Sequence, residues 1–191
     1  MPEVNDKAKK KNLALTLLDF FEILVFALTI VILLFSFTMR LCTVSGDSMN
    51  NTLKHEENLL ISNLFYEPKQ GDIVVFHQTG NVYNEPIVKR VIAVGGETVD
   101  IDFDTWTVTV TDKDGVTCVI DEPYIYLDNY PTPNQQQYPL YVPEGHLFVM
   151  GDNRNHSADS RILEIGLVDE RRVLGRVILR LTPFDKFGAV E

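Results

Sequence analysis

Three short segments carry the side chains that could do chemistry. The first, Ser45-Gly46-Asp47-Ser48-Met49-Asn50-Asn51-Thr52-Leu53, is a polar turn in which Ser48 follows Gly46 and Asp47, so a tight bend can present its hydroxyl. It is not the G-x-S-x-G nucleophile elbow, because Asn50 stands where the second glycine would be. Taken alone, Ser48 reads equally as an ordinary turn serine. The second segment is Ile87-Val88-Lys89-Arg90-Val91-Ile92-Ala93-Val94. Read as a strand, it puts Ile87, Lys89, Val91 and Ala93 on one face and Val88, Arg90, Ile92 and Val94 on the other. Each face is apolar but for one cation. A lysine among Ile, Val and Ala is a candidate for desolvation, which disfavours the ammonium and makes the neutral amine available as a base. Arg90 cannot serve in this way, because a guanidinium stays protonated. A lysine snorkelling to water from a sheet edge fits the same pattern. The third segment, Gly151-Asp152-Asn153-Arg154-Asn155-His156-Ser157-Ala158-Asp159-Ser160-Arg161, is dense in hydrogen-bonding groups. Arg154 and His156 occupy positions where a calcium loop needs oxygen ligands, so an EF-hand fails. A polar loop braced by Asp–Arg pairs remains, and such a loop can support a site.

These residues need elements to hold them. The candidate strands are residues 58–63, 72–77, 87–94, 98–103, 105–111, 116–120, 146–150 and 174–181, all rich in Val, Ile, Phe and Thr. Asp114-Gly115 reads as a hairpin turn, and Trp106 to Val110 alternates as a half-buried strand should. Pro131–Pro143, with Pro133, Pro139 and three glutamines, reads as a surface connection with no helix and no interior strand. The fold class expected is mainly β, with about 103–141 as an inserted β region.

The N-terminal part is different. Ile23 to Met39 are 17 residues without a charge, about 26 Å of helix, preceded by Lys7, Lys9, Lys10 and Lys11. A cleaved signal peptide would end in small residues, whereas this stretch exits through Thr38-Met39-Arg40-Leu41. Lipid attachment at Cys42 would want a small residue before it, and Leu41 is not small. A buried core helix is disfavoured by the flanking lysines. The expected organisation is a cytoplasmic N-terminus (1–16), a transmembrane anchor (17–40) and an extracytoplasmic domain (41–191), oriented by the positive-inside rule.

Composition excludes several classes. The 191 residues carry 17 Lys and Arg against 27 Asp and Glu, a net charge of −10. Beyond Arg40 there are 12 basic and 23 acidic residues, a balance that argues against nucleic-acid binding. Such a domain would approach an anionic bilayer only through apolar surface. At 45% apolar the chain is not disordered. Cys42 and Cys118 are too few for a disulfide framework; they read as two unpaired thiols, with one bridge between them left open. No cofactor and no metal are called for.

Taken together, in this order behind one apolar N-terminal segment, the three motifs resemble those of the bacterial type I signal peptidases. The resemblance covers nearly the whole chain. Ser48-Met49-Asn50-Asn51-Thr52-Leu53 is similar to the family's S-M-x-P-T-L, and Lys89-Arg90-Val91-Ile92 to its K-R-V-I strand. Gly151 to Arg161 fits G-D-N-R-x-x-S-x-D-S-R at every specified position, the most specific of the three. Asp121-Glu122-Pro123-Tyr124 resembles a stretch of Gram-positive members. The resemblance implies an antiparallel β catalytic domain, and a membrane-anchored serine endopeptidase that removes signal peptides from secretory precursors bearing small residues before the cut. Ser48 would be the nucleophile and Lys89 the general base. Ser157 would orient the amine, Asp159 and Arg161 would form a supporting ion pair, and Asp152 and Arg154 would help hold the loop. Met49 is a candidate for the substrate pocket. Asn51 departs from the family's proline, and Gly46 from the serine of some Gram-negative members, leaving the Ser48 backbone N–H as the chief oxyanion donor. Two other readings stand beside this one: a Ser–His hydrolase using His146 or His156, and a non-catalytic, peptidase-like assembly factor for surface proteins.

Overall fold

The computed structural model describes residues 3–78, 85–128, 132 and 134–190. The chain divides into two units, Met1–Met39 and Arg40–Glu191. The first is helix α1, Glu3–Thr38. Within it, Leu15–Ser36 is long and apolar enough to cross a bilayer. Its large side chains are exposed around the whole circumference, as they are in a helix that has no protein core to face. The helix stops at Thr38, two residues before the expected end of the anchor, because Met39 and Arg40 already belong to a strand.

Among the described residues, eleven strands follow the helix. They are β1 (Met39–Thr43), β2 (Asn58–Ser62), β3 (Ile73–Phe76), β4 (Ile87–Ala93), β5 (Thr98–Asp102), β6 (Thr107–Thr111), β7 (Thr117–Val119), β8 (Leu140–Tyr141), β9 (His146–Met150), β10 (Val168–Asp169) and β11 (Val173–Thr182). Seven form one sheet in the order β1-β2-β11-β3-β4-β9-β10, and four form a second in the order β7-β6-β5-β8. The registers from β2 onward are antiparallel. The mainly β architecture read from the sequence is therefore the observed one. The long β11 serves two neighbours, pairing β3 through Val173–Arg176 and β2 through Arg176–Thr182.

Strand β4 sits inside the large sheet, between β3 and β9, with Val74 opposite Lys89 and Val149 opposite Val91. This removes the snorkelling alternative for Lys89, which requires a sheet edge. Strict alternation along β4 fails at one point. A register shift between Val91 and Ala93 moves Ala93 into the same apolar cluster as Ile92, whereas the sequence pattern put them on opposite faces. A bulge, which the hydrophobic pattern cannot reveal, is the cause.

The small sheet packs Val99, Ile101, Val108 and Val110 against Ile92, Phe148 and Met150 of the large one. It is made of β5, β6, β7 and β8, from Thr98 to Tyr141. Asp112 to Val116 makes the hairpin expected at Asp114-Gly115, with Gly115 at φ +81° and the Asp112 carboxylate accepting from the N–H groups of Asp114 and Val116. Trp106 is not in the strand assigned to it; it turns at φ +57° and β6 starts one residue later. Pro131 and Pro133 of the proline-rich connection lie outside the described residues. Its last part contributes the edge strand β8.

Where β11 passes from one partner to the other, Gly175 allows close approach of β2. A Cβ there would meet the Ser62 backbone, with the carbonyl carbon and oxygen at 2.8 Å and the nitrogen at 3.0 Å. Gly175→Ala should therefore destabilise the β unit by about 2 kcal/mol. A thermal or denaturant melt of the variant checks this, and an unchanged midpoint would contradict the close packing.

Candidate active site

The serine turn is held from below and from the side. Met49 and Leu53 are buried in the apolar cluster with Leu59 and Ile61, and the Leu53 N–H bonds the Met49 carbonyl at 2.8 Å. Asn153 clamps the turn twice. Its backbone N–H donates to the Ser48 carbonyl at 3.0 Å, and its side-chain amide donates to the Asp47 carbonyl at 3.1 Å. The nucleophile candidate is thus fixed by the loop that follows β9. Gly151 permits this approach, because a Cβ on it would collide with the Ser48 carbonyl oxygen and the Ser157 hydroxyl.

Lys89 reaches the same point from β4. Its Nζ donates to Ser48 Oγ at 2.7 Å and to the Val88 carbonyl at 2.9 Å. The residue is 3% exposed. Burial pushes the amine down from 10.5 to about 8; Asp159 and Asp152 pull it back up, and Arg161 adds a small downward push. A hydroxyl hydrogen-bonded to such an amine can be deprotonated as it attacks. Both side chains line a cleft of about 270 Å³ with apolar walls from Val44, Met49, Ile87, Val88 and Ala158.

The remaining site residues are buried around this pair. Asp159 and Arg161 pair through two bonds of 2.8 Å, both side chains fully buried. Burial alone would raise the Asp159 carboxyl, but the Arg161 guanidinium and the Gly151 N–H hold it below its ordinary value. The Ser157 hydroxyl lies against Gly151, near enough to Asp159 to help hold that carboxyl down. It forms no well-directed hydrogen bond among the described residues, so it does not here hold the Lys89 amine.

Asp152 is gripped by Arg90, at 3.0 Å through Nε and 2.8 Å through Nη2, and it accepts the Thr52 hydroxyl. Arg154 pairs with Glu122 and donates through Nε to the Gly151 carbonyl at 3.1 Å, within the loop. Tyr124 lies under the Arg90 guanidinium, 3.8 Å from its ring centroid. Arg90, Glu122, Tyr124, Thr52 and Asn153 had no role in the sequence reading. The signals were present: a cation on an apolar strand face, and the Asp121-Glu122-Pro123-Tyr124 stretch. No pattern in the sequence says which acid meets which arginine. The histidine alternative loses its geometry. His156 Nε2 bonds Asp128 at 2.6 Å and His146 Nδ1 lies 3.2 Å from the Glu144 carbonyl, whereas Ser48 Oγ bonds Lys89. Cys42 and Cys118 are free thiols.

A seryl hydroxyl bonded to a dry amine inside a β scaffold is an arrangement that can support nucleophilic attack. Comparison with known proteins gives the family. The model described as "Signal peptidase, peptidase S26" matches residues 17–182. Signal peptidase IB of Staphylococcus aureus strain Mu50 is 32% identical over 188 residues, covering 90% of this chain and 92% of that protein. Probable signal peptidase I-1 of a Synechocystis species is 32% identical over 176 residues, covering 87% and 83%. A solved signal peptidase I from Enterococcus faecalis V583 is similar with a TM-score of 0.44 and 28% identity, covering 58% of this chain and 97% of its own. The chain belongs to the signal peptidase family, peptidase S26.

A depressed lysine carries a cost that can be measured. The folded value, about 8, lies below the ordinary 10.5, so between those values the unfolded chain binds more protons than the folded one. The charged amine therefore costs stability below pH 8, and the cost fades as pH rises from 8 to 10.5. Lys89→Met should be more stable than the parent at pH 7 by about 1–3 kcal/mol, with the gap closing across that window. Melts at pH 7 and pH 10 decide it; a gap that widens with pH would contradict the burial.

Proposed function

We propose that this protein is a membrane-anchored serine endopeptidase that removes N-terminal signal peptides from secretory precursors, with Ser48 as nucleophile and Lys89 as general base. The observation that carries the reading is the 2.7 Å hydrogen bond from a buried amine to the Ser48 hydroxyl. Family membership gives the peptidase class. Neutral Lys89 takes the Ser48 proton as Oγ attacks the scissile carbonyl. The Ser48 backbone N–H receives the developing oxyanion, its orientation set by the Asn153 clamp on the carbonyls either side. The protonated amine then passes its proton to the departing amino group. The acyl-enzyme is cleared by a water, with Lys89 again accepting a proton.

The precursor would lie extended along the cleft, bonded through its backbone as an added strand. Apolar walls in so small a volume suit Ala-like side chains before the cut. Leu15–Ser36 would hold the enzyme in the bilayer that carries its substrate, with the lysine-rich end cytoplasmic and residues 41–191 outside. Ser157, placed beside Gly151 and close to Asp159, would orient the amine, as the family resemblance implies. Asp152, Asp159 and Arg161 would support the loop.

The test is cleavage of a purified precursor by the full chain and its variants. Ser48→Ala and Lys89→Ala should each lose at least about 10³-fold in kcat/KM. Full activity in either removes the pair, and an unprocessed precursor with the parent protein favours the assembly-factor reading instead. The pH profile is a separate expectation. With the amine near 8, about a tenth is neutral at pH 7, so kcat/KM should climb roughly tenfold per pH unit below 8 and level off above it.

A further inference from the structure

We propose that His55 is a positioning residue for the serine turn, acting through its unprotonated Nδ1, and that its protonation loosens the turn in acid. This rests on Ser48 being the nucleophile. The Gly46 N–H donates to His55 Nδ1 at 3.1 Å. A backbone N–H can only donate, so this ring nitrogen must be bare and the ring proton must sit on Nε2. Gly46 is two residues before Ser48, at φ +85°, a left-handed conformation that favours glycine.

The turn carrying His55 is itself well anchored. Glu57 accepts from Arg180 at 3.0 and 3.2 Å, and the same guanidinium donates to the Thr52 carbonyl at 3.2 Å. From that base the segment reaches back to the serine turn by three bonds. The Glu57 carbonyl accepts from the Val44 N–H and the Glu56 N–H donates to the Val44 carbonyl, both at 2.9 Å. The third is the imidazole on Gly46. The first two fix Val44 on the cleft wall. Of these three bonds only the third reaches the residues between that wall and the nucleophile, so the acceptor at position 55 holds Gly46 just ahead of the stretch that Asn153 clamps at Asp47 and Ser48.

The bond is sensitive to protons by construction. A proton on Nδ1 sets two N–H groups against each other and turns an acceptor into a repulsive contact. The side chain is 58% exposed, so it exchanges protons with bulk water. The charged groups around it are Glu56, whose carboxylate is 3.9 Å from Nε2, Lys54, Glu57 neutralised by Arg180, Lys186 across the same hollow, and Asp47 beside Gly46. Acids and bases are therefore mixed around the ring.

The experiment is the cleavage of a signal-sequence peptide by the full chain in detergent, with kcat and KM followed from acid to alkaline pH for the parent, His55→Ala and His55→Asn. Asparagine keeps an oxygen acceptor near the Nδ1 position and cannot titrate. His55→Ala should lower kcat by about three- to tenfold at the plateau with KM within about twofold, and His55→Asn should recover most of it. In the acid limb the parent should fall more steeply than His55→Asn, because two groups rather than one must be free of protons. A parental kcat in His55→Ala, no recovery in His55→Asn, or acid limbs of equal slope each overturns the proposal. Should His55→Ala melt at assay temperature, the slopes of the parent and His55→Asn decide alone. An inactive Ser48→Ala separates any of these failures from failure of the Ser48–Lys89 reading, which would show as activity in that variant.

Discussion

A lysine amine kept out of water, with a hydroxyl rather than a carboxylate as its close partner, is the constraint on which the rest of the site depends. Burying an ammonium is expensive, and proteins usually relieve the cost with a counter-ion. Here the relief is withheld. Asp152 and Asp159 both act on Lys89, but each is gripped through two bonds by its own guanidinium, Arg90 and Arg161. Glu122 does the same for Arg154. Three acids and three arginines neutralise one another, and the amine is left beside Ser48 and a main-chain carbonyl. Desolvation then outweighs the residual pull of the carboxylates, which is why the value falls rather than rises. Freeing Asp152 from Arg90 would give the lysine the counter-ion it now lacks and return the proton to it.

The same pairs do a mechanical task. Ser48 and Lys89 are far apart in sequence and sit on different elements, and a hydrogen bond of 2.7 Å between them leaves little tolerance. Register across β3, β4 and β9 fixes the lysine. The loop after β9 fixes the serine, through Asn153. Arg90, the residue next to Lys89 on β4, binds Asp152, the residue next to Asn153, so one ion pair ties the strand of Lys89 to the loop that clamps the Ser48 turn. Thr52 adds a bond from the serine turn to that same carboxylate. The segment leading out of the small sheet braces the assembly from outside, with Tyr124 under Arg90 and Glu122 on Arg154.

Much of this was legible in the residues, and the boundary of legibility has a physical meaning. Strand positions follow from β-branched and aromatic runs, and β9 and the lysine strand fall where the pattern puts them. The two-residue strands β8 and β10 carry too few residues for any period to register. The bulge at Val91–Ala93 and the turn at Trp106 are decided by backbone geometry that hydrophobicity does not encode. At the site, the serine, the lysine and the Asp159–Arg161 pair could be named only because their motifs resemble those of a family, since each segment alone reads as an ordinary turn, strand or loop. Arg90–Asp152 and Arg154–Glu122 could not, because four oppositely charged residues within reach admit several pairings and only the folded distances choose. His55 was invisible for a related reason: its partner is a backbone N–H, and a main-chain donor leaves no mark on side-chain patterns.

An amine near 8 is close to what catalysis at neutral pH requires but does not reach it. A tenth of the molecules hold a neutral base at pH 7, a shortfall of about 1.4 kcal/mol against a fully deprotonated lysine. The missing part can come from the substrate. The cleft opens at Ser48, and its walls are apolar, so an extended peptide laid across it displaces the water that still touches the pair. That displacement disfavours the ammonium further while leaving the three ion pairs, already dry, unchanged. If Ser48 and Lys89 act as proposed, depression of the base would then be completed only where a substrate is bound. Without substrate the amine would hold its proton most of the time, and Ser48 would remain a weak nucleophile toward water and stray acyl groups.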